Sequence, residues 1–363
     1  MGGLFPQAPT NTVSRVTAAK LGAYVFPRGS IVFAKVGAAL LLGRIATLSS
    51  PSCIDNNMMG FVIDESRCDG EFVRYAMSLV RFDLLANPGA VPSVGEAQIG
   101  HFALALPSME EQRAIAAFLD RRTAQIDTLI AKYERLLELL DEKRQAVMQA
   151  VIWRDVSSAV PLKFRTDERR PIMYGIVLPG PDVADGVPIV KGGDVAARRL
   201  SPEQLNRTTR EIEAPYARSR LAIGDLVFAI RGGIGDVELV PTELVGANIT
   251  QDVARIAPAS DVCPTWLTMV LRTPGVGAQV SALTTGATVR GLNIRDLKLV
   301  GVPDSDRSRQ DEDLRTLLPL EEKTTAVQRR LSHARDLLFE YRSALITAAV
   351  TGHMDVTKEV DNA

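Results

Sequence analysis

The densest stretch of potential chemistry in the sequence is Arg231-Gly-Gly-Ile-Gly-Asp236, a glycine-rich turn behind the apolar run Leu226-Val-Phe-Ala-Ile230. Such loops can lay backbone N–H groups against phosphate, but a dinucleotide site needs G-x-G-x-x-G opening a helix. Here Gly232, Gly233 and Gly235 lead into Val237-Glu-Leu-Val240, which alternates like a strand, so the loop reads as a tight hairpin. No P-loop and no Asn-Pro-Pro-aromatic motif of an amino-methyltransferase occurs. Cys53, Cys68 and Cys263 are odd in number and scattered, and His101, His333 and His353 are equally dispersed. Neither a disulfide framework nor a zinc site follows from them. No catalytic constellation is visible.

The elements around that loop occur twice. Gly29, Phe33, Ala34 and Gly37 return 195 residues later as Gly224, Phe228, Ala229 and Gly232. Leu139, Leu140, Glu142 and Arg144 return 198 residues later as Leu337, Leu338, Glu340 and Arg342. Solenoid and propeller repeats are about 20–50 residues long, so this period marks a duplicated half-protein. Each half reads as a β-rich module followed by a long amphipathic helix.

The first helix is set by Ser108 and Glu111, a capping box behind Pro107, and no Pro or Gly interrupts it up to Ile152. Leu119, Ile126, Tyr133, Leu140 and Val147 recur every seven residues, with Ile115, Leu129 and Leu136 assigned to the companion seam position. In the second helix, from about Asp311 to Val350, Leu317, Leu331, Leu338 and Leu345 form one seam line. Leu320, Val327, Ala334 and Tyr341 form the other, and Pro319 is expected to kink or break the first turns. Two such helices in one chain are expected to pack antiparallel as a coiled coil. The competing reading places them inside a larger bundle, but each carries one apolar stripe rather than apolar residues all round. Ile130 and Leu137 widen that stripe and are expected to face a further helical partner.

Strands are expected at Ile31–Ala34, Arg44–Thr47, Val187–Val190, Leu226–Ile230, Val237–Val240, Val253–Ile256 and Leu297–Val300, with Pro188 at a sheet edge. Helices are expected around Glu71–Met77 and Thr265–Leu271. The fold class is α+β: two β-rich α/β modules, two long helices and a pseudo-two-fold repeat. The boundaries read 1–106, 107–153, 154–304, 305–352 and a tail at 353–363. The N-terminus lacks the order of a signal peptide, no apolar run is long enough to span a membrane, and a soluble cytoplasmic protein is expected. A net charge of −1 singles out no partner and counts mildly against a simple nucleic-acid binder.

Leu106-Pro-Ser-Met-Glu-Glu-Gln-Arg-Ala-Ile-Ala-Ala-Phe-Leu119, continuing through Ile126-Asp127 to Lys143-Arg144-Gln145, resembles the first conserved region of the specificity subunits of type I restriction-modification systems. Tyr341-Arg-Ser-Ala-Leu-Ile-Thr-Ala-Ala-Val-Thr-Gly352 resembles the second, and Gly246–Arg255 and Gly286–Asn293 are similar to family blocks of the recognition module. The resemblance covers nearly the whole chain. It implies two target-recognition domains that each read half of a split DNA site, with the paired helices setting the spacing and docking methyltransferase subunits. A helix overlap of about 30 residues is roughly 45 Å, one to one and a half DNA turns.

The chain departs from the pattern twice. About 70 residues separate the first helix from Gly224, whereas only 28 precede Gly29, so the first recognition domain reads as shortened at its N-terminus. Around Pro303–Gln310 only Gln310 matches the first helix start, which suggests weaker docking there. Implied partners are double-stranded DNA, two methyltransferase subunits, restriction subunits where the system has them, and a separate chain supplying the absent piece. No membrane is involved. The chain itself is expected to be non-catalytic and without a cofactor, with S-adenosylmethionine on the methyltransferase subunit.

Bases are read by Arg, Lys, Asn and Gln at groove edges, while phosphates accept any basic or amide donor. On turns beside the strands the candidates are Lys35 and Arg44 in the first module, and Arg231, Asn248, Gln251, Thr288 and Arg290 in the second. The partner face is assigned to Ile130 and Leu137. The competing functions are a subunit with its own DNA-modifying activity, against which the missing motifs argue, and a structural coiled-coil adaptor, against which two unlike, turn-rich modules argue.

Overall fold

The computed structural model describes residues 11–87, 89, 91–156, 159–196, 200–284 and 290–356, and it is a mixed α/β molecule with two long helices, Met109–Ile152 and Arg307–Val350. Two compact units share those helices: residues 1–135 with 332–363, and residues 136–331.

In unit 1, β1 (Ile31–Ala34) is flanked antiparallel by β2 (Ile45–Thr47) and β3 (Met58–Phe61). Ile31 and Phe33 point into a core with Leu40 and with Phe72 and Ala76 of the helix Gly70–Met77. Ile115, Leu119 and Ile126 of the first long helix and Leu345, Ile346 and Ala349 of the second belong to the same core. Within this unit Asp127 accepts from Arg342 Nε at 2.8 Å.

Unit 2 contains β4 (Ala159–Pro161), β5 (Met173–Tyr174), β6 (Val187–Val190), β7 (Arg207–Thr208), β8 (Leu226–Ala229), β9 (Val237–Leu239), β10 (Asn248–Ile249), β11 (Val253–Ile256) and β12 (Gly301–Pro303). They form sheets of order β5-β11-β8-β9, β10-β6-β7 and β12-β4. Arg144 bridges to Glu321 at 3.4 Å and Arg154 to Glu312 at 2.9 Å, so the helix segments of this unit run antiparallel.

The repeat is exact in register. Ile31↔Phe61 and Phe33↔Met59 of unit 1 have their counterparts in Leu226↔Ile256 and Phe228↔Ala254 of unit 2. A buried glutamine is repeated with it. Gln112 Oε1 accepts from the backbone N–H of Asp69 at 2.8 Å, and its Nε2 donates to the carbonyls of Arg67 and Pro107. Gln310 does the same with the N–H of Cys263 at 2.7 Å and the carbonyls of Asp261 and Ser305. Asp69 and Cys263 are the N-caps of Gly70–Met77 and Pro264–Leu271, so each glutamine ties the cap of a module helix to the first turns of a long helix. Gln310, the one residue matched at the second helix start, therefore keeps the interaction on which the module is seated.

Several expectations need correction. The second long helix begins at Arg307 and runs through Pro319 without a break, because helix on both sides of an exposed proline can absorb one missing N–H bond. Leu297–Val300 is the end of a helical turn, Ile294–Leu297, and the strand begins at Gly301. Pro188 lies in the central strand of its sheet. The ladder to β10 starts only at Ile189, so no N–H is missed.

The seam also differs in its second line. Leu119, Ile126 and Leu345 are buried and Tyr133, Leu140, Leu331 and Leu338 half-buried, but Leu129, Leu136 and Tyr341 are exposed. Their place is taken by Thr123, Ile130, Leu137 and Arg144 on the first helix and by Glu321, Gln328, Arg335 and Arg342 on the second, all buried or half-buried. Ile130, assigned from sequence to a partner, lies in this chain's own core.

Unit 1 has no counterpart of β4 to β7 among the described residues, and the seats for that piece are changed. In unit 2 Arg170 clasps buried Asp225 at 2.7 and 2.6 Å, and buried Arg255 donates to Pro171 O. The matching positions in unit 1 are Ser30 and Gly60, and a Cβ on Gly60 would stand 2.9 Å from the Phe26 ring. Phe26 exchanges backbone hydrogen bonds with Ser52, where Leu221 donates to Ala247 in unit 2. At these positions unit 1 lacks both the ion pair and the arginine-to-carbonyl bond with which unit 2 seats that piece.

Candidate nucleic-acid interface

The turns that follow β8 and β10 meet residues Arg290 to Leu292 at one rim of unit 2. Ile230 and Arg231 both donate backbone N–H bonds to Asp252 O, and Leu292 donates to Ile230 O at 2.9 Å. Gly192 packs on the Arg231 carbonyl so closely that a Cβ there would lie 2.3 Å from the oxygen. A Cβ on Gly291 would stand 3.5 Å from Arg231 Cγ, which puts Arg290 beside Arg231. The rim thus brings Lys191, Arg231 and Arg290 together, the approach of Gly192 to Arg231 being one that only glycine permits.

Electrostatically the rim is basic but partly compensated. Arg231 Nη1 is 3.7 Å from Asp252 Oδ1, a loose half-exposed pair that contributes little and leaves the guanidinium available. Arg290 is exposed, and no carboxylate meets it among the described residues. Lys191 escaped the sequence reading; the signal was present in Lys191-Gly-Gly, the same turn chemistry at the end of β6 as Arg231-Gly-Gly at the end of β8. Gln251 is half-buried in the turn before β11, within the same rim. Thr288 lies outside the described residues.

Asn248, read from sequence as a turn residue facing DNA, is fully buried in β10. Its Nδ2 donates to Glu213 Oε1 at 2.9 Å and to Tyr216 O, and its Oδ1 accepts from Ser219 Oγ at 2.7 Å. Glu213 also holds Arg220 bidentately, and that hydrogen-bonded pair lowers its carboxyl below the usual range. Every polar atom of Asn248 is used to fix this network, so it reads nothing outside.

In unit 1 the corresponding turn is built from other residues. Lys35 takes the place of Ile230, since both donate to the turn before the third strand and accept from Val94 or Leu292. The residue matching Arg231 is Val36, so Lys35 and Arg231 are not equivalent as the sequence suggests. Lys35 is half-buried and Arg44 exposed, at the two stems of the β1–β2 connection. Among the described residues no three His, Cys, Asp or Glu side chains gather to hold a metal ion, and no helix is long and apolar enough to cross a membrane.

No protein-family profile matches the chain. Among individual proteins it is 24% identical to the type I restriction enzyme EcoBI specificity subunit of Escherichia coli, over 86% of this chain and 72% of that one. This chain is a relative of the type I specificity subunits. The EcoKI specificity subunit of E. coli strain K12 is 20% identical over 80% of this chain, which spans 66% of that relative's length. A solved chain from work on complex assembly and conformational transition of the type I R-M system superposes with a TM-score of 0.67 at 16% identity, covering 90% of this chain and 82% of that one. The fold is therefore shared with that chain.

Proposed function

We propose that the chain is the DNA-recognition subunit of a type I restriction-modification complex, itself non-catalytic, in which each unit reads one part of a two-part site. The observation that carries this reading is that two units of one chain share sheet register and glutamine clamp yet differ at their hairpin tips. A common frame with unlike tips is what two different half-sites require, since base edges are read by a few side chains on a fixed scaffold. Kinship with the EcoBI specificity subunit supplies the class of complex.

In this reading the long helices hold the modification subunits through residues that each unit leaves outside its core. These are Leu129, Leu337 and Tyr341 in unit 1 and Leu136, Leu139 and Val327 in unit 2, all exposed. They replace Ile130 as the docking face; Leu137 is half-buried and stays with the seam. Sequencing of methylated bases in the host with and without this gene tests the proposal. Methylation at a bipartite motif should vanish on deletion and return on complementation. An unchanged methylation pattern sinks it, and methylation that persists without sequence preference would point to a mere adaptor.

A further inference from the structure

The β1–β2 connection of unit 1 is three residues longer than its counterpart, 12 positions from Phe33 to Ile45 against 9 from Phe228 to Val237, and its chemistry is reversed. Unit 2 turns through Arg231-Gly-Gly-Ile-Gly-Asp236, charged and mostly small. Unit 1 turns through a helical segment, Ala38–Leu41, held between Gly37 at φ 77° and Gly43 at φ 59°. Leu40 is buried and fastens that segment to the core, while Leu41 and Leu42 are 50% and 60% exposed. The segment packs on the helical turn Phe82–Leu85, whose Leu84 is 74% exposed. Gly37 donates to Pro92 O, beside Val91, which is 61% exposed. The tip is apolar, and Lys35 and Arg44 stand at its two stems with no carboxylate meeting either among the described residues.

We propose that this loop is a DNA wedge: Leu41 and Leu42 enter between bases of the half-site of unit 1, with Lys35 and Arg44 on the flanking phosphates. The inference rests on the DNA-recognition reading above. An apolar projection bracketed by cations matches how proteins unstack a base step while neutralising the backbone around it. A protein-binding patch would not need a cation at each stem. The loop occupies the place where unit 2 presents Arg231 and Arg290, so unit 1 reads its half-site by shape and unstacking where unit 2 reads by hydrogen bonds. Buried Leu40 makes the projection a fixed one.

The full chain is used to select from a randomised 40-bp duplex pool, and the enriched site is then made with 2-aminopurine at each purine position of the block that Leu41→Ala/Leu42→Ala no longer selects. Wild type should give a several-fold fluorescence rise at one step. Leu41→Ala/Leu42→Ala should abolish the rise and weaken binding about 10-fold, with the slope of log K against log salt unchanged. Lys35→Ala/Arg44→Ala should keep the rise and reduce the slope by about 0.9 for each phosphate no longer neutralised. Both double variants remove exposed or stem side chains, and unchanged thermal melting verifies their fold. If the leucine variant selects and unstacks like wild type, or is weakened only in its affinity for the modification subunit, the wedge is wrong while DNA recognition stands. If wild type enriches no sequence at all, both fall.

Discussion

At the scale of single residues the two glutamines matter most. Gln112 and Gln310 are buried, and each satisfies one N–H and two carbonyls, of which Ser305 O also accepts from Arg165 Nη2 at 2.6 Å. Replacing either by Ala leaves buried main-chain groups unsatisfied, at a cost of about 2–4 kcal/mol. Hydrogen exchange should show Gln112→Ala loosening Gly70–Met77 alone and Gln310→Ala loosening Pro264–Leu271 alone; equal protection in both variants would refute the clamp. Asp313 is a second case. Burial raises its carboxyl above the usual 3.8, against the opposing effects of the Trp266 Nε1 hydrogen bond and nearby Arg309. Arg309 Nε is 3.1 Å from Oδ1 but off-line for a hydrogen bond. A raised carboxyl means the folded state disfavours the charge, so the cost is fully present above the folded pKa and disappears as pH falls below 3.8. Asp313→Asn should therefore raise Tm at neutral pH and give no gain near pH ~4; a drop in Tm at neutral pH contradicts this. The matching pair in unit 1 is Phe72 and Ile115, where no charge is buried.

Among the elements, the long helices were the most legible from sequence and also the site of its clearest misreading. The capping box forms as read, Ser108 N donating to Glu111 Oε2 at 2.9 Å. The seven-residue line through Leu119, Ile126, Tyr133 and Leu140 points inward. Its companion line was not legible because Leu129 and Ile130, and Leu136 and Leu137, are adjacent and alike in hydrophobicity. Packing partners distant in sequence decide between them: in unit 1 Ile130 enters the core that also holds Leu345 and Ile346, and Leu129 is left exposed. Leu129→Glu with Leu337→Glu, and Leu136→Glu with Leu139→Glu, should leave melting unchanged and weaken capture of the modification subunit at least 10-fold in sedimentation. Undiminished assembly by both pairs would remove the proposed docking face, whereas Ile130→Glu should unfold unit 1. Pro319 overrode the local rule against proline inside a helix, since it is exposed and flanked by helix on both sides. Pro319→Ala should then stabilise the segment by about 1–3 kcal/mol, restoring the N–H bond to Arg315. Slower exchange of the amides around residues 315–323 would show it, and faster exchange would count against it.

For the whole molecule, the duplication was visible in Gly29, Phe33, Ala34 and Gly37 because turns with positive φ and core phenylalanines tolerate little else. The candidate DNA-facing residues were not, because Asn248 and Arg231 look alike in sequence as polar residues near turns. Burial by Glu213, Tyr216 and Ser219 separates them only once the chain is folded. Two unlike tips predict unequal effects on the two halves of the site. Arg290→Ala should cost about 1–3 kcal/mol and relax selection in one block of the site only, as read by enrichment from random duplexes; equal relaxation of both blocks would mean that the units do not read separately. The clamps carry a last consequence, for how such a protein can change. Gln112 and Gln310 grip only main-chain atoms, which every amino acid supplies. A foreign module spliced in beside the helices would meet the same main-chain grip at its helix cap, while its side chains would still have to fit the shared core. Recombination can thus exchange a module while keeping at least this part of its mounting unchanged.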